Sequence, residues 1–324
     1  MNQPASQALK ERFPTLREGV SLARYSTYRI GGPARFFLEA HTTDDVVAAI
    51  RLARAQGLPY AMLGSGSNTL IADQGFAGLV IVARAQHLTF DRQRVTAEAG
   101  VKLSVLTVVA AQHGFGGLEF LIGVPGTVGG AIYGNAGSRD AAIGNRVASV
   151  EILDAAGRRV ALSAEECAFG YRTSRFKTTK EPIVQAVLVL PPGDRVTLER
   201  QIATVIRAKN AKQPTHDQSA GCMFKNVPVD DPSQLPEELR TTVTDGQLSA
   251  WRLIVAAGLK GKRLGHVQVS PQHANFLVNL GGATADEVVQ LLSYIKQQVR
   301  DRFHIQLHEE IQYLGFDLPR TSLQ

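Results

Sequence analysis

The segment Gly123 to Gly137 places six glycines among fifteen residues and separates them with small and apolar side chains. Flexible linkers are rich in glycine and serine, whereas Val124, Val128 and Ile132 can anchor this segment to a core. A glycine loop that is held rigid lets another chain segment or the phosphates of a ligand approach the backbone, because bare N–H groups and positive φ values are available there. We therefore predict an ordered loop that contacts a ligand.

A second glycine-rich loop lies upstream, at Gly64 to Thr69, directly after the apolar run Pro59 to Met62. The pattern is typical of a strand that runs into a turn. It does not meet the GxGxxG pattern of a dinucleotide-binding βαβ unit, because the third glycine is missing and Asp73, Gly75 and Gly78 would break the following helix. Two ordinary tight turns are the alternative for either loop alone, and the presence of both loops favours a ligand.

Composition indicates an ordinary globular chain. Its 324 residues are enough for two or three domains, and 44% of them are apolar and 20% charged. No apolar run approaches the roughly 18 residues that a membrane helix needs, and the N-terminus lacks a basic region followed by an apolar one. We therefore expect a soluble cytoplasmic protein with no membrane partner.

The net charge of +6 suggests a nucleic-acid partner, but the basic residues are spread along the chain and clusters such as Lys260 to Arg263 are short. One Trp and seven Tyr offer few surfaces on which bases can stack. Attraction of a small polyanionic substrate explains the same charge. We expect no nucleic-acid partner.

The order of periodic segments indicates an α+β chain. Hydrophobic spacing predicts helices over residues 46–56, 102–112, 197–211, 247–257 and 284–302, the last with Thr284 as its cap. Strands are predicted over residues 35–39, 78–83, 95–99, 149–153, 158–162, 183–190, 265–269, 274–278 and 305–314. Pro191 to Gly193 marks a domain boundary.

Two polar clusters in the second half are candidates for chemistry. Arg172, beside Tyr171, can form a bidentate fork to a carboxylate, and the alternative is a turn with solvated cations. Cys222 lies next to a glycine, so a ligand can approach its thiol, and the alternative is a small buried apolar residue, which we expect for Cys167. The two cysteines lack the spacing of metal ligands, so we predict free thiols and no metal site. His216 alone supports no Cys–His pair, so proton donation fits Cys222 better than nucleophilic attack.

The acidic pair Glu309 and Glu310 belongs to the last predicted strand. Successive strand residues point to opposite faces, so one carboxylate is expected to face solvent and the other the interior. Glu309 fits the solvent side and Glu310 the inner one. The alternative is a pair of acids that keep a strand edge soluble.

Taken in order, the motifs of this chain resemble those of the UDP-N-acetylenolpyruvoylglucosamine reductase family. The resemblance rests on short strings spread along almost the whole chain, at residues 27–32, 64–68, 117–120, 125–130, 135–137, 171–174, 213–214, 258–261, 269–275 and at Glu310. It implies an α+β architecture, in which a two-subdomain FAD-binding fold of the vanillyl-alcohol-oxidase type is followed by an α/β substrate-binding domain. The implied division is residues 1–82 with 304–324, then 83–196, then 197–303.

The resemblance also implies a non-covalent FAD cofactor, NADPH as hydride donor, and UDP-N-acetylglucosamine enolpyruvate as substrate in peptidoglycan precursor synthesis. The implied FAD-binding residues lie in the two glycine loops: Gly64, Ser65, Gly66, Ser67, Asn68, Thr69, Pro125, Gly126, Thr127, Gly129, Gly130, Asn135, Ala136 and Gly137. By resemblance, these loops hold the FAD pyrophosphate through backbone donors.

Three residues match the catalytic positions of that family. Arg172 would clamp the substrate carboxylate where enolate charge develops, and Glu310 would assist as a hydrogen-bonding group. Cys222 would donate the proton, in a position where the best-known members have serine. A thiol with a reference pKa of about 8.5 stays mostly protonated at neutral pH, so it can serve.

Substrate contacts are implied for Tyr171, Lys225, Asn226, Lys260, Gln272, His273 and Asn275. The chain departs from the family pattern at Ser138–Asp140 and at His266–Val267. The span between Lys177 and Gln213 is too short for the extra substrate-covering loop of some members, so the chain resembles the shorter subtype. We expect a monomer. The alternatives are another flavin oxidoreductase of the same fold and a non-catalytic descendant that binds a sugar nucleotide.

Overall fold

The computed structural model describes residues 3–137 and 141–316, with side chains from residue 6 onward. The departures predicted at Ser138–Asp140 lie outside the described residues. The chain divides into two units by its contacts. The first unit comprises residues 1–20, 34–65 and 77–211, and the second comprises residues 21–33, 66–76 and 212–324.

Helices and strands alternate along most of the chain. The helices are α1 (Gln3–Arg12), α2 (Thr43–Ala55), α3 (Leu103–Gln112), α4 (Val128–Gly134), α5 (Phe176–Thr179), α6 (Arg195–Lys212), α7 (Glu237–Arg240), α8 (Ala250–Ala256) and α9 (Ala285–Phe303). The strands are β1 (Arg17–Ser21), β2 (Pro33–Ala40), β3 (Tyr60–Leu63), β4 (Thr69–Ile71), β5 (Phe76–Ala83), β6 (Leu88–Asp91), β7 (Arg94–Glu98), β8 (Val147–Leu153), β9 (Arg159–Ser163), β10 (Ile183–Val189), β11 (Val227–Pro228), β12 (Gln247–Leu248), β13 (Arg263–Leu264), β14 (Val267–Val269), β15 (Leu277–Asn279) and β16 (Gln312–Leu314).

The first unit contains a four-stranded sheet in the order β1-β2-β5-β3, in which β3 and β5 run parallel. Helix α2 buries one apolar face because Val46, Ala49, Ile50 and Ala53 recur at helical spacing. The hydroxyl oxygen of Thr42 accepts a hydrogen bond from the Asp45 N–H at 3.0 Å and so caps this helix. The first glycine loop leaves the sheet at the carboxyl end of β3.

The same unit contains a five-stranded antiparallel sheet in the order β6-β7-β10-β8-β9. Its core includes apolar residues of the sheet together with Leu103 and Leu106 of α3 and Val128 and Ile132 of α4. The predicted second glycine loop, residues 123–137, is not a loop throughout, because its middle part, Val128–Gly134, forms α4.

Helix α6 packs on the first unit through a small cluster. Leu198 and Ile202 of α6 are buried with Ala111 and Ile122, and Val205 packs beside them. Because Ile122 directly precedes the second glycine loop, this cluster sets where α6 lies relative to that loop.

The second unit is built around α9 and the three-stranded sheet β13-β14-β15. Helix α9 begins at a capping box, in which Thr284 accepts from the Glu287 N–H and the Glu287 carboxylate accepts from the Thr284 N–H, both at 3.1 Å. Its apolar stripe at Val288, Leu291, Leu292, Ile295 and Val299 is buried. A short parallel pair, β4 with β16, completes this unit.

Most sequence-predicted elements agree with the structure to within a few residues, but the last strand does not. Only Gln312–Leu314 of the predicted 305–314 is a strand. The preceding residues bond singly to several partners, for example through the bridge between Phe224 and Glu309. The prediction that Glu309 faces solvent is also wrong, because its carboxylate is held by Lys296 Nζ at 3.0 Å and by the Tyr313 hydroxyl at 2.6 Å. The division into three domains stays a prediction.

No helix within residues 3–137 and 141–316 is both long enough and apolar enough to cross a membrane. The same described residues contain no cluster of three or more histidine, cysteine and carboxylate side chains in a metal-binding arrangement.

Candidate active site

The first glycine loop, residues 64–69, joins β3 to β4. Gly66 has a φ of +60°, and a Cβ atom there would clash with the carbonyl oxygen of Tyr25 and lie 2.9 Å from Ser26 Cα. The hydroxyl group of Ser26 donates to the Gly66 carbonyl oxygen at 3.3 Å. Glycine is therefore required at residue 66 both by its conformation and by the close approach of another backbone segment.

The first glycine loop contains three successive backbone N–H groups whose hydrogen bonding is incomplete within the described chain. Among the residues that the structure describes, none accepts a hydrogen bond from the N–H of Gly64, Ser65 or Gly66. Buried or half-buried N–H groups are almost always paired in folded proteins, so these three are available to a ligand. Successive backbone N–H groups of this kind are suitable donors to the oxygens of a phosphate group.

The second glycine loop, residues 123–137, uses its N–H groups differently. The N–H of Val128 donates to the Val101 carbonyl oxygen, and that of Gly129 to the Ala99 carbonyl oxygen, each at 2.9 Å. The Gly130 N–H reaches the hydroxyl oxygen of Thr127, which caps α4, at 3.5 Å. A ligand could approach this backbone closely, because the residues are small. Most of the backbone N–H groups, however, already donate hydrogen bonds within the chain.

The two loops touch each other at Gly64 and Thr127. A Cβ atom at Gly64 would lie 2.5 Å from the hydroxyl oxygen of Thr127. The structure therefore brings together two predicted loops that are about sixty residues apart in the sequence.

Asn135 ends α4 in a left-handed conformation with a φ of +46°. Its side-chain amide donates to the Gly170 carbonyl oxygen at 2.8 Å, and its amide oxygen accepts from the Gly144 N–H at 3.0 Å. The Ser174 hydroxyl group donates to the Tyr133 carbonyl oxygen at 2.7 Å. The second loop is thereby fixed to the turn that carries Arg172.

Arg172 lies at the tip of a tight turn closed by hydrogen bonds in both directions between Gly170 and Thr173. Its φ is +51°, a value that costs a non-glycine residue roughly 1–2 kcal/mol. The guanidinium carbon lies 5.7 Å from the ring centre of Tyr171, which is itself exposed. Strained backbone is enriched at functional sites, but Arg29 and Arg92 share this conformation, so the case for Arg172 rests on its place beside the second glycine loop.

Lys209 of α6 is a residue that the sequence analysis missed. Its ammonium group donates to the carbonyl oxygens of Phe120 at 3.0 Å and Ile122 at 2.6 Å, just before the second loop. Burial, and next the positive charge of Arg172, lower the pKa of Lys209 to about 8. The available signal was spacing, because Leu198, Ile202, Val205 and Lys209 form one helical stripe that ends in a cation.

Cys222 and Glu310 lie on adjacent segments of the second unit. Cys222 forms an antiparallel bridge with Phe276, and the Glu310 N–H donates to the Met223 carbonyl oxygen at 2.8 Å. The side-chain amide of Asn68 donates to the Glu310 carbonyl oxygen at 3.2 Å. The backbone of this unit thus holds Cys222 and Glu310 on two adjacent segments that are not β-strands. Both segments lie next to the end of the first glycine loop.

Both cysteines are free thiols, as predicted, but their surroundings differ. Cys167 is fully buried, and burial raises the pKa of its thiol to about 11. Cys222 is only partly buried. Of the two, Cys222 is the thiol that a ligand can reach.

Two of the predicted substrate residues of the second unit, Asn275 and His273, form hydrogen bonds within the unit, and the other four differ in their exposure. Asn275 is buried, and its amide bonds to both backbone groups of Phe224, at 3.0 and 2.8 Å, so it fixes the segment after Cys222. His273 accepts the Asn275 N–H on Nδ1 at 3.3 Å, and burial lowers its pKa. A neutral His273 therefore carries its proton on Nε2. Lys225 and Asn226 are partly buried, whereas Lys260 and Gln272 are exposed.

Comparison with known proteins gives matches over both parts of the chain. The FAD binding domain family matches residues 34–163, and the family of the UDP-N-acetylenolpyruvoylglucosamine reductase C-terminal domain matches residues 213–314. The prediction of FAD is confirmed by the first match.

Similarity to individual proteins extends over nearly the whole chain. The UDP-N-acetylenolpyruvoylglucosamine reductase of Chlamydia felis is 36% identical over 310 residues, which are 95% of this chain and 97% of that protein. The reductase of Solibacter usitatus is 37% identical over 91% of this chain and 95% of its own length. The crystal structure of the Thermus caldophilus reductase matches with a TM-score of 0.74 and 33% identity, over 93% of this chain and all of that one.

These matches confirm the predicted α+β fold class, an FAD-binding fold followed by the C-terminal domain of the reductase family. They give no support to the alternatives of a different flavin oxidoreductase or a non-catalytic descendant. The chain belongs to the UDP-N-acetylenolpyruvoylglucosamine reductase family.

Proposed function

We propose that this protein is an FAD-dependent reductase that uses NADPH to convert UDP-N-acetylglucosamine enolpyruvate to UDP-N-acetylmuramate in peptidoglycan precursor synthesis. The observation that carries the proposal is the similarity of nearly the whole chain to named UDP-N-acetylenolpyruvoylglucosamine reductases. The reaction adds a hydride and a proton across the carbon–carbon double bond of the enolpyruvyl ether, and NADPH leaves as NADP⁺.

The two glycine loops are proposed to hold FAD non-covalently in different ways. In the first loop, the N–H groups of Gly64, Ser65 and Gly66 are available to pyrophosphate oxygens. In the second loop, the small residues let the ligand approach a backbone whose donors are largely engaged. When bound, FAD would supply the two-electron chemistry that links hydride donation by NADPH to reduction of the terminal carbon of the enolpyruvyl group.

Arg172 is proposed to clamp the carboxylate of the substrate. Hydride addition leaves negative charge that spreads into this carboxylate, and a fixed guanidinium group stabilises that charge more than it stabilises the substrate. The closed turn between Gly170 and Thr173, and its links to the second glycine loop, hold the arginine backbone in place before substrate arrives. Tyr171 would form one wall of the same site.

Cys222 is proposed to donate the proton to the carbon next to the carboxylate. Its partial burial gives access to substrate, and its thiol is more acidic than the serine hydroxyl group of other members. Glu310, on the adjacent segment, is proposed to assist this transfer by hydrogen bonding.

The nucleotide part of the substrate is assigned to the second unit. Lys225 and Lys260 would meet phosphate charge, Asn226 and Gln272 offer amides, and neutral His273 offers an Nε2–H donor. Asn275 would act through its bonds to Phe224. We further propose that the protein acts as a cytoplasmic monomer with the three-domain division given above.

The test uses the purified holoprotein in two anaerobic steps. We expect NADPH to bleach the flavin absorbance, and UDP-N-acetylglucosamine enolpyruvate to restore it. A colourless protein that cannot be reconstituted with FAD, or a reduced flavin that this substrate does not reoxidise, would contradict the proposal.

Variants of Cys222 separate the two half-reactions. Cys222→Ser should keep substantial activity, because a hydroxyl group can donate the same proton. Cys222→Ala should still accept the hydride of NADPH but reoxidise on substrate about 10²- to 10⁴-fold more slowly, the usual contribution of a general acid. Equal loss in both half-reactions would reject the assignment of Cys222 as proton donor.

A further inference from the structure

Lys209 contacts three residues of the short segment 120–123, where the second glycine loop begins. Two are the carbonyl oxygens of Phe120 and Ile122, which accept hydrogen bonds from its ammonium group at 3.0 and 2.6 Å. The third is Gly123, where a Cβ atom would lie 3.0 Å from Lys209 Cδ. The lysine stem therefore lies directly on the first glycine of the loop.

The backbone hydrogen bonds just before the loop are local, whereas the side chains of Leu118 and Leu121 are buried in the core beneath it. The N–H groups of Leu121, Ile122 and Val124 donate within the same short segment, to residues only three positions earlier. These local bonds shape the turn but do not tie it to the rest of the unit. Lys209 ties it to α6, and the burial of Ile122 against Leu198 and Ile202 adds an apolar contact at the same place.

The apolar contacts of α6 fix the position of Lys209 along the helix. Ile202, Val205 and Lys209 follow one another at intervals of three and four residues, so they share one face. The ammonium group is therefore presented to the loop by a helix that is already docked. Hydrogen bonds from a charged donor to two backbone oxygens are among the stronger attachments that a chain can form.

We propose that Lys209 is a positioning residue for the second glycine loop, and that it holds Gly123 to Gly137 in the conformation that retains FAD. This inference depends on the proposed cofactor role of that loop. Lys209 acts through the backbone of residues 120–123 and is assigned no part in hydride or proton transfer.

The test compares the FAD dissociation constants of refolded or cofactor-stripped variants, measured by quenching of flavin fluorescence. We expect Lys209→Met to bind FAD about tenfold or more weakly, because two charge-assisted hydrogen bonds are lost. Lys209→Arg, which keeps the charge and several donors, should stay within about threefold of the natural protein. Arg207→Met is the matched control, because Arg207 lies on the same helix, is exposed and bonds only the nearby Thr204 hydroxyl oxygen in the described part of the chain.

Comparing FAD affinity with kcat at saturating FAD distinguishes a positioning role of Lys209 from a role in hydride or proton transfer. With FAD at saturating concentration, Lys209→Met should recover kcat to within about threefold of the natural protein, since the acid and the clamp are intact. If Lys209→Met does not fold, Lys209→Gln with its single amide donor replaces it and should bind FAD more weakly than Lys209→Arg. Equal FAD affinities in all variants, or a kcat deficit that saturating FAD does not repair, would overturn the proposal. Failure of the natural protein to reduce the enolpyruvyl substrate, with the order of FAD affinities intact, would count against the proposed function alone.

Discussion

The two glycine loops look alike in sequence, yet they use glycine for different purposes. In the loop at residues 64–69, glycine allows a left-handed turn and leaves three N–H groups without an acceptor among the described residues. In the loop at residues 123–137, the N–H groups of Val128, Gly129 and Gly130 bond to Val101, Ala99 and Thr127, and Gly129 also packs closely on Ala99. A high density of glycine therefore indicates that another group lies close to the backbone. It does not indicate whether that group accepts hydrogen bonds from the backbone N–H groups.

The comparison also separates how the loops are held. The first loop is fixed by backbone contacts, such as that between Gly66 and Tyr25. The second is fixed by side-chain hydrogen bonds, from Lys209 of α6 at its start and from its own Asn135 to Gly170 near its end. We infer that substitutions of glycine damage the first loop most, whereas the second loop is more sensitive to the side chains that support it.

The largest expected effect is that of Gly66→Ala. The left-handed φ costs roughly 1–2 kcal/mol for alanine, and the clash with Tyr25 adds to this, so we expect the free energy of unfolding to fall by at least about 2 kcal/mol and FAD to be lost. Chemical denaturation and flavin absorbance measure both effects.

Gly130→Ala is the matched substitution in the second loop. A Cβ atom there would have its nearest neighbour at 3.7 Å, and alanine is favoured over glycine inside α4 by up to about 1 kcal/mol. We expect the apoprotein to become slightly more stable while FAD binds more weakly. If Gly66→Ala and Gly130→Ala had the same effect on stability, the distinction between the loops would be lost.

An intermediate effect is expected where the loops touch. Gly64→Ala would press on the Thr127 hydroxyl oxygen and disturb the cap of α4, and Thr127→Ala removes that cap at a cost of about 1 kcal/mol. Because Thr127→Ala also removes the clashing oxygen, the double variant should be more stable than the sum of the single effects by about 1 kcal/mol. Urea denaturation of the four proteins gives this coupling energy.

Thr42→Ala provides the control for this double-mutant cycle of Gly64→Ala and Thr127→Ala. Thr42 caps α2 in the same way, through the Asp45 N–H, but it is not among the atoms near Gly64. Combined with Gly64→Ala, it should be additive. Coupling of the same size with both threonines would mean that Gly64→Ala acts by general loosening and not by contact with Thr127.

The smallest expected effect is a pH dependence of FAD binding. Burial and Arg172, the charged group whose field reaches it, lower the pKa of Lys209 from its ordinary value to about 8. The ammonium group is therefore fully present below about pH 7 and is lost as the pH rises through 8, so FAD affinity should fall several-fold between pH 7 and 9.5. Lys209→Arg should remove this dependence, because arginine stays protonated.

The contribution of Lys209 to the folding stability of the apoprotein should rise between pH 7 and 9.5, where FAD affinity is expected to fall. A lysine keeps its proton in the unfolded chain up to about pH 10.4, so the unfolded state binds more protons than the folded state above pH 8. The contribution of Lys209 to folding stability therefore rises with pH while FAD affinity falls. Parallel losses of stability and of FAD affinity would indicate unfolding, not titration of Lys209.

The parts of the structure that local sequence determines were predictable. Helix α9 begins where Thr284 and Glu287 form a capping box, and the first glycine loop lies where its composition predicted a turn. In the second predicted loop, residues 128–134 form helix α4 instead. The segment before β16 was not predictable, because its bonds go to Asn68 and Phe224, which are far away in sequence. A local pattern cannot encode which distant group satisfies a given backbone atom.

The same reason explains what sequence analysis missed in the candidate site. The importance of Arg172 was recognised, but its positive φ depends on the turn from Gly170 to Thr173. Lys209 looked like one of many exposed lysines until its acceptors, Phe120 and Ile122, were known. The proposed reaction follows from family resemblance. The difference between the two glycine loops in the hydrogen bonding of their N–H groups follows from the structure.

The most direct test of this division is amide hydrogen exchange by NMR on protein labelled with ¹⁵N-glycine, with and without FAD. We expect the amides of Gly64 and Gly66 to exchange quickly in the apoprotein and to be strongly protected by FAD. The amide of Gly129, which already bonds to Ala99, should be protected in both states. Strong protection of Gly64 and Gly66 without FAD, or FAD-induced protection at Gly129 alone, would contradict the account.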